Sequence, residues 1–176
     1  MSGGKILIAL LLVGTATAWG VGTGESPSAP REGAAAAAAQ SYADINAPFD
    51  SKYHFVRIRY DGGGFGGFRR GRRGGTWSHD YPRAEYNFLQ ILKETTYLGT
   101  QAEGSNVLTF DDPELLKYPI AYIVEVGYWN PSDDEVRALG EYLLKGGFLI
   151  VDDTRDERGF ELRNFAAHME RALPGL

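Results

Sequence analysis

The chain has 176 residues, 43% of them apolar and 12% aromatic, with a formal charge of −5. That length and composition support one domain with a core and exclude a chain that is disordered throughout. No cysteine is present, which excludes thiol catalysis, thiolate metal sites and disulfides, and the acidic balance argues against a general nucleic-acid binder.

The start, MSGGKILIALLLVGTATAWG, joins a single Lys5 to an apolar run from Ile6 to Val13 and an A-x-A pattern at Ala16 and Ala18. This predicts a signal peptide over 1–18, cleaved after Ala18, and an exported protein, periplasmic or extracellular. Membrane attachment is then expected only if that segment stays uncleaved as an anchor. Residues 19–52 read as a low-complexity linker. Its six alanines, Ala34 to Ala39, fall short of the roughly 12 to 15 residues that an isolated helix needs.

From residue 53 onward the pattern becomes that of a folded domain, 53–176. HFVRIRY (54–60) places Val56, Ile58 and Tyr60 on one side and Arg57 and Arg59 on the other, predicting a strand. GGGFGGFRRGRRGGTW (62–77) follows, with eight glycines and four arginines in sixteen positions. Pro82 then opens a helix, with Asp80 or Tyr81 as its cap, Ala84, Phe88, Ile91, Leu92 and Thr95 on its apolar face, and Gly99 at its end. Val107 to Phe110 predicts a short strand, and Asp112-Pro113 a short capped helix. Ile120 to Val126 and Phe148 to Val151 are near-continuous apolar runs, expected to be strands covered on both faces. Between them, Ser132 and Glu135 form a capping box ahead of a helix burying Val136, Leu139, Tyr142 and Leu143. A last helix carries Leu162, Phe165, Ala166, Met169 and Leu173. The alternation predicts a three-layer α/β fold, a mostly parallel flavodoxin-like sheet with helices on both faces, ending one strand short of a doubly wound sheet.

In such sheets, sites form at the carboxyl ends of strands. The candidate catalytic residues are therefore Asp152, Asp153, Glu125 and Asp61. One of the consecutive carboxylates Asp152 and Asp153 is expected to face the rim while the other caps or pairs. Glu125 interrupts an apolar strand and needs a partner, for which Arg57 or Arg59 is the natural choice. Arg59, Trp77, Asp80, Asn87, Tyr128 and Trp129 are candidate ligand-binding residues, the aromatics suiting sugar rings or peptides. Arg69, Arg70, Arg72 and Arg73 could bind anions from the Gly-rich loop. His54, His79 and His168 show no metal-ligand spacing to one another, no Gly-x-Ser-x-Gly elbow occurs, and neither a metal nor a cofactor is expected.

RIRYDGG, TWSHDYPRAEYNFLQIL, FDDPELLKYPIAYI and the capped helix leading into GGFLIVDD together resemble an exported bacterial family known as domain of unknown function 4159, over roughly Tyr53 to Leu176. The matching positions are Arg59, Tyr60, Trp77, Pro82, Asn87, Asp112, Pro113, Tyr118, Pro119, Gly146, Gly147, Asp152 and Asp153. The resemblance implies a fold related to the class I glutamine amidotransferase-like group, without that reaction, because the cysteine nucleophile is absent. The expectation for function is a non-catalytic binding or assembly module of the cell envelope, with an envelope protein or polymer as partner and no nucleic acid. The alternatives are a hydrolase-like enzyme acting on carbohydrate at the acidic rim, and polyanion binding through the Gly/Arg loop.

Overall fold

The computed structural model describes residues 46–61, 75–154 and 159–175. The expected signal peptide, most of the expected linker and the four loop arginines lie outside these residues. Among those described, no helix is long and apolar enough to cross a membrane.

Four parallel strands form one sheet: β1 (Tyr53–Ile58), β2 (Thr100–Leu108), β3 (Ile120–Val124) and β4 (Phe148–Asp152), in spatial order β2-β1-β3-β4. The α-helices are α1 (Arg83–Thr95), α2 (Asp133–Leu144) and α3 (Phe160–Ala172). The expected α/β class is thus observed, with the flavodoxin-like strand order.

Register decides what each sheet face carries, since paired residues of parallel neighbours point the same way. Arg57 pairs with Tyr122, and Tyr122 with Ile150. Val56 and Ile58 therefore share the opposite face with Ala121, Ile123, Leu149 and Val151, all buried in the main core with Leu139, Trp129 and Phe165 from the α2–α3 side. Helix α1 lies on the other face, where Phe88 packs edge-on against Phe55 with ring centroids 5.6 Å apart.

Helix α2 begins as its sequence predicts. The Ser132 side chain accepts from the Glu135 N–H, and the Glu135 carboxylate accepts from the Ser132 N–H. Its middle is shaped by close helix contact: a Cβ at Gly140 would overlap the Ala172 carbonyl of α3. Only glycine lets the two backbones approach this closely.

Several expectations need correction. β2 begins at Thr100, seven residues before the predicted Val107, because a polar edge strand shows little apolar alternation. Its outer side is held by Asn46, whose side chain accepts from the Val107 N–H at 2.8 Å and donates to the Val107 carbonyl at 3.0 Å. Contacts to the sheet thus begin within the stretch read as linker. β3 stops at Val124, two residues early. Helix α1 buries Glu85 and Leu89, while Phe88 and Ile91 of the predicted apolar face are exposed. The reason is Arg57, fully buried beneath α1, which demands a carboxylate there. β3 and β4 are not sealed on both faces either: Ile120, Tyr122, Phe148 and Ile150 are half-buried on the α1 side.

Candidate functional site at the carboxyl edge

Because all four strands run in one direction, their carboxyl ends share an edge, and successive crossovers diverge between β1 and β3. This topological switch point is where open α/β sheets leave a crevice. Three non-glycine residues there have left-handed backbone: Asp80 (φ 58°), Glu125 (φ 53°) and Asp153 (φ 56°). An L-residue pays about 1–2 kcal/mol in that conformation, and such residues cluster at functional sites.

Glu125 forms a tight elbow between β3 and the 3-10 turn Val126–Tyr128. The elbow is fastened from several directions. The Tyr60 hydroxyl lies 2.8 Å from the Val124 carbonyl and 2.9 Å from the Glu125 carbonyl, and it accepts from Thr76 Oγ1 at 3.1 Å. Burial pushes the Tyr60 phenol above its ordinary pKa, with the Glu125 charge adding to the effect. From α3, Asn164 Nδ2 donates to the Val126 and Trp129 carbonyls at 2.7 and 2.8 Å. Glu161 crosses so near Gly127 that a Cβ there would come within 2.5 Å of its side chain. The Glu125 side chain is buried by this packing just past the carboxyl end of β3.

His79 reaches the same place from the β1 side. Arg57 Nε donates to Glu85 Oε1 at 2.5 Å, and its guanidinium stacks 4.7 Å over the Tyr122 ring. Its remaining reach goes to the Trp77 and His79 carbonyls, at 3.3 and 3.4 Å. A buried arginine thus ties the 76–79 turn to the sheet and fixes where the imidazole emerges.

Asp152 and Asp153 diverge as expected. Asp152 accepts from the Tyr122 hydroxyl at 2.6 Å and from the Asp153 N–H at 2.7 Å. Burial, and then the Asp152 carboxylate, raise the Tyr122 phenol so that it stays a donor. Asp153 turns to the rim, where its Oδ2 meets His79 Nδ1. Glu125 Oε1 lies 3.4 Å from the same nitrogen. One ligand atom from each of His79, Glu125 and Asp153 falls within 4.8 Å of the others. Two carboxylates thus converge on one imidazole in a partly shielded crevice.

Of the expected site residues, the structure brings together Glu125 and Asp153, with Asp80 adjacent: its Oδ2 is 4.0 Å from His79 Nε2. Asp61 is exposed at the end of the β1 segment, and Asn87 is exposed on α1. Arg59 is half-buried and its N–H donates to the Leu108 carbonyl; the expected Arg57–Glu125 pair is replaced by Arg57–Glu85. Trp77 and Trp129 are core residues, not a ligand wall, while Tyr128 packs half-buried against the core. The sequence reading missed His79 as a site residue. No two histidines have metal-ligand spacing, and the informative signal is one histidine just before a helix whose preceding strand ends at the rim.

The sequence profile of a family described as a domain of unknown function, DUF4159, matches residues 54–176. Comparison with curated proteins gives no match.

Proposed function

Because the chain belongs to the DUF4159 family, whose function is unassigned, we propose from the geometry that it is an α/β binding module whose ligand presents a cationic centre to the rim of His79, Glu125 and Asp153. The supporting observation is the convergence of two carboxylates on one imidazole at the switch point. An exported setting, with an envelope protein or polymer as the bearer of that centre, belongs to the same proposal and is supported by the leader-like start.

The geometry gives less support to a carbohydrate hydrolase. Glycosidases place two carboxyl groups about the scissile bond in separate roles, and here both acids gather about one imidazole. A test is titration of the full chain with spermidine, ethanolamine, MnCl2 and ZnCl2, followed by thermal shift. At least one probe should stabilise the wild type and have no effect on Asp153→Asn, a change suited to the left-handed backbone at that position. Failure of every probe on the wild type would contradict the reading.

A further inference from the structure

We propose that His79, Glu125 and Asp153 form a three-ligand site for a divalent transition-metal ion, an inference that rests on the cationic-centre reading and names the cation. The donor set is one imidazole nitrogen and two carboxylate oxygens. All-oxygen sets suit magnesium and calcium, whereas adding imidazole favours zinc and its neighbours.

One pair of donor atoms already has the spacing of ligands on an ion, while Asp153 Oδ2 touches His79 Nδ1 directly and has to draw back to admit one. Metal–nitrogen and metal–oxygen bonds of about 2.0–2.2 Å put neighbouring tetrahedral ligand atoms roughly 3.4 Å apart. His79 Nδ1 and Glu125 Oε1 are separated by 3.4 Å.

The surroundings complete the arrangement. With Nδ1 on the ion, the Nε2–H of His79 would face the Asp80 carboxylate, 4.0 Å away, as outer-shell carboxylates face metal-bound histidines. Tyr60 and Asn164 hold the elbow that carries Glu125, so one ligand is fixed before any ion arrives. Three protein ligands leave a tetrahedral ion one open position, through which a donor atom of the partner could be captured.

The test is calorimetric titration of ZnCl2 into the untagged, EDTA-treated full chain, with MgCl2 as control. We expect one zinc per chain and no magnesium binding at the same concentrations. His79→Gln, Glu125→Gln and Asp153→Asn should each weaken zinc by more than the roughly 10- to 100-fold that loss of an outer-shell partner costs. Metal-free melting of Glu125→Gln at or above that of the wild type would show that lost binding is not lost folding. No stoichiometric zinc, or zinc bound equally by Glu125→Gln, would overturn the inference. If zinc fails while an amine probe still binds and is lost in Asp153→Asn, the metal inference falls and the cationic-centre reading stands. If both fail, both fall.

Discussion

Arg57 joins a buried charge to the position of a rim residue. It lies beneath α1, paired with Glu85, stacked on Tyr122 and bonded to the two carbonyls that frame His79. Removing one partner of a buried pair strands the other charge and costs about 3–5 kcal/mol, whereas replacing both by apolar residues is often neutral. Arg57→Met alone should therefore destabilise strongly in urea titrations. Adding Glu85→Leu should recover most of the loss without restoring cation binding, because His79 loses its anchor. A double variant no more stable than Arg57→Met would show that the guanidinium contributes mainly through its carbonyl contacts. At this scale the sequence was only partly legible. The divergence of Asp152 and Asp153 is legible as alternation at a strand end, although Asp153 lies just past β4 and owes its direction to left-handed backbone. The Arg57–Glu85 pair is not legible, since its members stand 28 positions apart on different elements and Glu85 looks like any exposed helix acid.

Among elements, the legible ones are those whose termini are written in local chemistry. Ser132 and Glu135 announce α2, and the β-branched runs announce β3 and β4. The first part of β2 was hidden because its residues, TQAEGSN, are polar; it is a strand because β1 offers it a parallel edge and Asn46 pairs its outer side. The apolar period of α1 points to the wrong face, because a buried cation in the sheet selects Glu85 for the inner side. The α2–α3 contact supplies a prediction at this scale. Gly140→Ala places a methyl group against the Ala172 carbonyl, so the helices must separate, and overpacking of this kind costs about 1–3 kcal/mol. A lower melting temperature in circular dichroism is expected. An unchanged or higher value would mean that helix propensity outweighs the close approach.

For the whole molecule, the strand order β2-β1-β3-β4 is what makes a site out of residues distant in sequence. It sets β1 beside β3 and β3 beside β4, so the segments leaving all three strands meet at one edge. The existence of that edge was readable from the alternation of strands and helices. The convergence of Glu125, Asp153 and His79 on it depends on three left-handed residues and on the path of the 76–79 turn, none of which composition encodes. The central claim is that this cluster is kept for a ligand and not for folding. Denaturation by urea, in EDTA, of the Glu125→Gln, Asp153→Asn double variant tests it most directly. If the acids serve a cationic ligand and not the fold, the double variant keeps a urea midpoint at or above that of the wild type while cation binding is lost. A midpoint below the wild type would contradict the account and make the cluster a structural ion pair.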